Sequence, residues 1–420
     1  MEDVIVVGAG VVGCAVAREF SRYNLNVTVL EAGSDVAEGA SKANSAIVHA
    51  GFDAKPGTDK AKFNVLGNRM FEDVCRELRV PFRRNGSLVL AFGTDEEKAL
   101  AELKEKAAKN SVPVEIIGRD ELRRREPNVS PDATAALWAP TGGICCPYEL
   151  TFRMAENAAA NGVTFVFDAK VVQICSDGAL AVGRCGGDGE GAVATPWSVT
   201  CADGRTFEAK AVVNCAGIHS DELNNLVSKT KYAIEARRGE YLMLDKDEDG
   251  TFGATMFQVP SKMGKGILVS PTVDGTVIVG PTAEDIHDKE DKATTYAGLE
   301  KVKEGARRTY PNLPLNKVIT EFSGLRAHET TVGDFILGEA PDAPGFFNAV
   351  GVESPGLTSA PAIGVWMAER VAAKLGASKK NPALISKDVS WWPKTREMEP
   401  EELAELVERD PSFGRVICRC

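Results

Sequence analysis

The chain has 420 residues, 44% of them hydrophobic and 26% charged, a globular balance that excludes a disordered, collagenous or coiled-coil protein. At roughly 150 residues per domain the length predicts two to three domains. Lys and Arg number 49 against 60 Asp and Glu, a net charge of −11, which argues against a nucleic-acid partner and leaves any anionic ligand to local cations or helix N-termini.

Residues 3–7 (DVIVV) read as a buried parallel strand. Gly8-Ala9-Gly10-Val11-Val12-Gly13 follows at once, then CAVAREFSRY with helical periodicity, then a second strand in NLNVTVLEAG with Glu31 at its end. This is a dinucleotide fingerprint in its full context. Gly8 permits the tight turn, Gly10 lets the backbone reach a pyrophosphate, and Gly13 lets helix and strand approach closely. The helix N-terminus faces the phosphates. Glu31 would accept ribose hydroxyls, which disfavours a 2′-phosphate and therefore NADP. Between FAD and NAD the motif leaves both open. Val12 and Ala32 are expected beside the ligand.

The start reads as a strand, not a cleavable leader. No run of about 18 apolar residues suggests a membrane span. The ten cysteines are therefore expected to be reduced and cytosolic, with Cys14, Cys75, Cys175 and Cys215 in apolar runs as core packing.

Next comes a loop with a polar cluster, Ser41, Asn44 and Ser45, suited to phosphate or ribitol oxygens or else a solvated turn. His49-Ala50-Gly51 follows, and Gly67-Asn68-Arg69 is expected to open a helix. SLVLAF is a strand. TDEEKALAELKEKAAKN is an exposed amphipathic helix. Residues 138–171 return as turn, helix and strand to the nucleotide-binding part, ending at Val171. Residues 174–207 read as an exposed hairpin insert with a Gly-rich turn. AVVNCAG (211–217) is an apolar strand ended by Ala216-Gly217, where a backbone can approach a ligand. Residues 232–283 alternate as a mainly antiparallel sheet. SPGLTSAPAIGVWMAERVAAKL reads as a loop and an apolar helix whose N-terminal N–H groups aim at an acceptor. Residues 376–411, rich in Lys, Pro and Glu, read as an exposed tail.

Several of these stretches together resemble the D-amino-acid-oxidase-like superfamily of FAD proteins, and within it the L-2-hydroxyglutarate dehydrogenases and anaerobic glycerol-3-phosphate dehydrogenases. They are the Gly8–Gly13 fingerprint, Ser41-x-x-Asn44-Ser45 with His49-Ala50-Gly51, AVVNCAGIHSD, Arg238-Gly239-Glu240-Tyr241, Gly324-Leu325-Arg326 and GVESPGLTSAPAIG. The resemblance covers about nine-tenths of the chain and implies non-covalent FAD. It implies an α/β fold: a Rossmann-like, glutathione-reductase-related FAD-binding domain interleaved with a mainly antiparallel α+β substrate domain. The FAD-binding segments are expected at 1–85, 140–222 and 322–376, the substrate segments at 86–139 and 223–321, and a tail at 377–420. Gly324, Gly356, Leu357 and Thr358 join the cofactor contacts, the last three facing the flavin pyrimidine carbonyl.

A flavin dehydrogenase of a small alcohol needs the C–H over flavin N5, a base for the hydroxyl proton, and cations for the anionic end. Arg326 is the expected clamp, since Arg grips carboxylate or phosphate bidentately; Ala327 follows it where the family has Pro. His49 is the expected base, with His328 a second catalytic candidate because it lies two residues along the same extended segment. Tyr241 and Lys265, the latter in PSKMGKG beside Lys262, are expected substrate contacts. His219 is expected to touch the flavin or cap the next helix, and His287 to lie in solvent. No metal site is expected.

The favoured activity is oxidation of sn-glycerol 3-phosphate to dihydroxyacetone phosphate. The alternatives are L-2-hydroxyglutarate oxidation, a glycine- or sarcosine-type amine oxidase, and a non-catalytic flavin electron-transfer subunit. The expected partners are electron-acceptor subunits carrying flavin or Fe–S groups, or quinone. The expected location is cytoplasmic, with attachment to a membrane through a partner left open. FGRVICRC resembles the start of a [2Fe–2S] domain of the bacterioferritin-associated ferredoxin type, with Cys418 and Cys420 as its first two ligands; this chain supplies no others downstream, so no cluster is expected.

Overall fold

The computed structural model describes residues 1–176, 196–246, 252–260, 266–386, 395 and 398–415. Its centre is five parallel strands in the order Thr164–Val166, Val27–Leu30, Glu2–Val7, Thr206–Asn214 and Phe346–Val350. Their buried Val, Ile and Phe side chains suit a sheet covered on both faces. Helices Val11–Phe20, Asp59–Glu77, Pro147–Ala160 and Gly356–Leu375 share one core with one face, through Val4, Val6, Phe20, Phe71, Leu150 and Met367. The other face carries the antiparallel pair Val171–Cys175 and Trp197–Cys201 and the helix Ser220–Val227, around Ile5, Val7, Trp197 and Phe346. The Gly-rich turn of the expected hairpin lies outside the described residues.

A second sheet has nine strands. Its long central pair, Ile234–Leu244 and Val318–Glu329, is antiparallel along almost its whole length. The pairing of Thr255–Gln258 with Ser87–Ala91 is the parallel exception. Helix Thr94–Lys109 buries Leu100, Leu103 and Ala107 at helical spacing and leaves its charged face to solvent. A small sheet of Ile47–Val48, Phe82–Arg83 and Gly143–Cys145 bridges between segments distant in sequence.

Several sequence expectations change. Val318–Glu329 belongs wholly to the nine-stranded sheet, so the expected boundary at 322 cuts a strand; pairing with Ile234–Leu244 decides its membership. The 222/223 boundary likewise cuts the helix Ser220–Val227, which buries Leu223 and Val227 on the first sheet. Gly67-Asn68-Arg69 lies mid-helix, because Thr58 caps the helix nine residues earlier by accepting from Ala61 N. Part of the supposed tail is docked: Lys380 N bonds Arg22 O at 2.9 Å and Ser386 N bonds Asn161 Oδ1 at 2.8 Å. Cys175, expected as a reduced core thiol, is disulfide-bonded, whereas Cys14, Cys75, Cys145, Cys146, Cys201 and Cys215 are free and buried. No described helix is long and apolar enough to cross a membrane.

Candidate active site

A cavity of about 1320 Å³ is lined by both sheets. It exceeds the roughly 300–1,000 Å³ of ordinary small-molecule pockets, as a site for a dinucleotide plus substrate should. At one end the fingerprint turn forms its wall. Gly8 sits at φ +101°, and a Cβ there would lie 2.5 Å from Cys215 O, so no other residue fits without displacing backbone. Gly10, Val12, Glu31 and Ala32 line the cavity. Gly13 does not; a Cβ on it would lie 1.9 Å from Gly8 O, so its role is to let helix and strand close up.

Glu31 is already engaged: Oε2 accepts from Ala9 N at 2.6 Å and Oε1 from Gly33 N at 2.8 Å. Both bonds stiffen the turns on either side of the carboxylate and orient it along the wall. Ser41 Oγ accepts from Val11 N at 2.9 Å, capping the first turn of the helix. Asn44 lines the cavity, yet its amide spans its own loop: Nδ2 donates to Ser41 O at 2.8 Å and Oδ1 accepts from Ala46 N at 2.8 Å. It therefore shapes the loop more than it offers free groups to a ligand. Ser45, Val171, Ala216 and Gly217 complete this part of the wall. A glycine cradle, an acid aligned by backbone and a helix N-terminus whose own N-cap residue, Gly10, carries no side chain fit a dinucleotide such as FAD.

The helix Gly356–Leu375 has no side-chain cap at Pro355, and Gly356 and Leu357 line the cavity. Thr358 does not. It is fully buried, and its Oγ1 accepts from His49 N at 2.9 Å and donates to Ile47 O at 3.4 Å. The Thr358 side chain is thus a brace behind His49, while its backbone N–H belongs to the first turn of the helix. The His49 carbonyl is held as firmly, accepting from Asn64 Nδ2 at 2.8 Å and Asn68 Nδ2 at 3.0 Å. Both asparagines project from the helix Asp59–Glu77. His49 lines the cavity with Nε2 at 3.2 Å from Ser354 Oγ.

The paired strands of the second sheet supply the opposite wall. In the ladder Arg237 faces Arg326, Gly239 faces Gly324 and Tyr241 faces Phe322, so these side chains share one surface. Gly324 leaves a gap into which the loop carrying Ala43 fits; a Cβ on Gly324 would lie 1.9 Å from Ala43 O. Tyr241 is buried, stacks on Phe322 with centroids 4.8 Å apart, and places its hydroxyl 3.3 Å from Ser45 Oγ. Burial pushes its phenol up, so it enters the wall as a neutral hydroxyl. Arg326 is half-buried and lines the cavity. Its Nη2 donates to Thr282 O at 2.7 Å, and it has no carboxylate partner among the described residues. Arg238, by contrast, is committed to Glu284 at 2.8 Å and Asp291 at 2.9 Å.

His328 is not on the cavity wall. Its Nδ1 lies 3.1 Å from Glu353 Oε1, and Glu353 is the residue that reaches the cavity. Sequence reasoning passed over Glu353 and Ser354 although both stand in GVESPGLTS; a carboxylate beside the flavin-motif proline was the available signal. Lys262 and Lys265 lie outside the described residues. His219 lines the cavity at the N-cap position of the next helix, without a side-chain cap bond, and its ring nitrogens lie 3.0 Å from Glu222 and from Glu290; His287 is exposed.

Residues 3–370 match the family described as FAD dependent oxidoreductase (DAO). The chain is 46% identical over its full length to the glycerol 3-phosphate dehydrogenase of Caloramator mitchellensis, covering 84% of that protein. It is 27% identical to the mitochondrial L-2-hydroxyglutarate dehydrogenase of Arabidopsis thaliana, over 89% of this chain and 83% of the relative. Among solved structures it resembles the FAD-bound, dithionite-reduced L-α-glycerophosphate oxidase of Mycoplasma pneumoniae, with 30% identity, a TM-score of 0.81, and coverage of 90% and 96% of the two chains. The fingerprint cradle, the two-sheet cavity and these similarities agree: the chain belongs to the DAO family of FAD-dependent oxidoreductases.

Proposed function

We propose that this flavoenzyme oxidises the secondary alcohol of sn-glycerol 3-phosphate to dihydroxyacetone phosphate. The observation that carries the reading is Arg326: a guanidinium in the cavity wall, tethered by backbone carbonyls and with no carboxylate partner among the described residues. Such a cation is suited to a substrate's phosphate. The 46% identity to a glycerol 3-phosphate dehydrogenase supports the choice of substrate. L-2-hydroxyglutarate is the second reading, favoured by the 27% identity to its plant dehydrogenase.

FAD, held by Gly8, Gly10, Glu31, Ser41, Gly217, Gly356 and Leu357, supplies the hydride acceptor. Arg326 fixes the phosphate and thereby the position of the adjacent carbinol. His49 takes the hydroxyl proton on Nε2, the nitrogen that Ser354 Oγ meets at 3.2 Å. Thr358, Asn64 and Asn68 hold the His49 backbone on both sides, so the imidazole swings only about its own side-chain torsions. Tyr241 closes the wall as a neutral hydroxyl. Lys265 adds a second cation for the phosphate in this reading.

The first sheet binds cofactor and the second shapes the substrate wall, an interleaved pair of functional units. Electrons leave to a partner redox protein or quinone, in the cytoplasm or at a membrane surface reached through that partner. The Cys418-x-Cys420 motif, outside the described residues, supports an iron–sulfur carrier as the acceptor.

The deciding experiment is anaerobic addition of each substrate to the purified holoenzyme, followed by the flavin's visible absorption. Bleaching by sn-glycerol 3-phosphate is expected. Bleaching by L-2-hydroxyglutarate alone would overturn the assignment.

A further inference from the structure

Glu353 is a nearly buried carboxylate, its side chain 11% exposed, in the cavity wall. Its Oε1 is taken twice, by Lys60 Nζ at 2.8 Å and His328 Nδ1 at 3.1 Å. Oε2 accepts no hydrogen bond among the described residues. Burial alone would raise this carboxyl. The hydrogen bond from His328 and the charge of Lys60 reverse that and hold it below its ordinary value. The group is therefore an anion with one occupied oxygen and one vacant oxygen.

Its position is fixed from two sides. The next residue, Ser354, meets His49 Nε2 at 3.2 Å. His328 follows Arg326 by two residues on one strand, hence on one face. Glu353 thus stands between the side that holds the proposed base and the strand that holds the proposed phosphate clamp.

An ionised carboxylate accepts hydrogen bonds and donates none. A substrate that shuts water out between His49 and Arg326 must offer Oε2 a donor or leave that oxygen of the Lys60- and His328-paired carboxylate without a hydrogen bond, which is costly. In glycerol 3-phosphate the reacting carbon carries the phosphate arm on one side and a CH₂OH on the other. In 2-hydroxyglutarate the corresponding short arm is a carboxylate, an acceptor bearing like charge. We infer that Glu353 accepts the terminal hydroxyl of the substrate through Oε2 and so selects a polyol phosphate over a 2-hydroxy dicarboxylate. The inference rests on the glycerol 3-phosphate reading and deepens it. Lys60 and His328 are then positioning residues, holding the carboxylate ionised and still.

The test compares sn-glycerol 3-phosphate with propane-1,2-diol 1-phosphate, which keeps the phosphate and the reacting alcohol and lacks only the terminal hydroxyl. Wild-type holoenzyme should favour the former in kcat/KM by on the order of 10- to 100-fold, the size of a charge-assisted hydrogen bond. Glu353→Ala should bring the two substrates to within about threefold. Glu353→Met, which keeps most of the volume and removes both acceptor oxygens, should narrow the ratio in the same way and decides the matter should the alanine variant lose its flavin. A purely structural role, or a role as the base, lowers both substrates alike and leaves the ratio unchanged. An unchanged ratio with glycerol 3-phosphate activity intact in the wild type overturns this inference alone. A wild type that oxidises 2-hydroxyglutarate and not glycerol 3-phosphate overturns the functional reading and the inference together.

Discussion

Arg237 and Arg326 lie directly opposite each other in the central ladder of the second sheet, and only Arg237 is hydrogen-bonded to a carboxylate among the described residues. Arg237 forms two hydrogen bonds with Asp285, at 2.6 and 2.9 Å, while Arg326 leans on the Thr282 carbonyl. Like charges facing across a ladder destabilise a sheet. Asp285 relieves that repulsion from the Arg237 side, and the carboxyl is held below its ordinary value chiefly by its hydrogen bond to Arg237. One guanidinium is thus bonded within the sheet, and the other is the one proposed above to meet an incoming anion.

Arg326→Ala should lower kcat/KM for glycerol 3-phosphate by on the order of 10²- to 10³-fold, the loss of a desolvated charge partner. Flavin content should not change, because the fingerprint cradle lies elsewhere. Steady-state kinetics and the flavin-to-protein absorbance ratio check both halves. Loss of the flavin would assign Arg326 to the cofactor instead.

Thr358→Val preserves shape and removes the acceptor for His49 N–H. A buried N–H left unpaired costs about 1–3 kcal/mol. The expected outcome is a lower melting temperature and lower kcat with full flavin occupancy. A variant that loses flavin and keeps its turnover per bound flavin would return Thr358 to the cofactor wall.

Gly324→Ala forces a Cβ to within 1.9 Å of the Ala43 carbonyl unless the loop gives way. The overpacking should cost about 1–3 kcal/mol. Because the loop carries Ser41 and Ser45, flavin retention should fall as well. Thermal unfolding and flavin release on dilution read the two effects separately.

Glu329 is buried at the end of the Arg326 strand and accepts from Thr331 N, Val332 N and Gly333 N at 2.7, 2.6 and 2.8 Å. Burial alone would raise the carboxyl, but these bonds hold it below its ordinary value. A depressed carboxyl stabilises the fold fully above its unfolded pKa, and that contribution is lost as pH falls through the folded value. Glu329→Gln should therefore cost about 1.5–3 kcal/mol near pH 7 and less near pH 4. Urea titrations at the two pH values measure the difference; an equal cost at both would remove ionisation from the account.

Flavin reduced by substrate should reoxidise slowly in air and quickly with an artificial acceptor. Hydrogen peroxide formation measured beside dye reduction checks this. Peroxide formed as fast as substrate reduces the flavin would make the enzyme an oxidase, like its Mycoplasma relatives.

Local patterns made the nucleotide end legible. Strand, glycines, helix, strand and acid are contiguous in sequence, so the residues from Gly8 to Glu31 declare the cradle without any long-range contact. Lateral placement was harder. The period of two put Arg326 and His328 on one face, but two residues are about 6.6 Å along a strand, enough to move His328 off the cavity and behind Glu353. At the helix start, Leu357 faces the cavity while Thr358 turns inward, because successive helical residues diverge by about 100°. Domain edges at 222 and 322 failed because pairing and packing partners lie far away in sequence.

The order of the parallel strands also sets when the enzyme can first hold its cofactor. Glu2–Val7 is made well before its partners, since Val6 pairs with Val213, Val213 pairs with Phe347, and the helix Val11–Phe20 shares a core with Gly356–Leu375. The fingerprint must wait through most of translation for its neighbours, with its apolar strand uncovered meanwhile. Such late, non-local closure slows folding and prolongs exposure to aggregation. The cradle for the flavin is therefore complete only after Phe346–Val350 has been made and has paired with Thr206–Asn214.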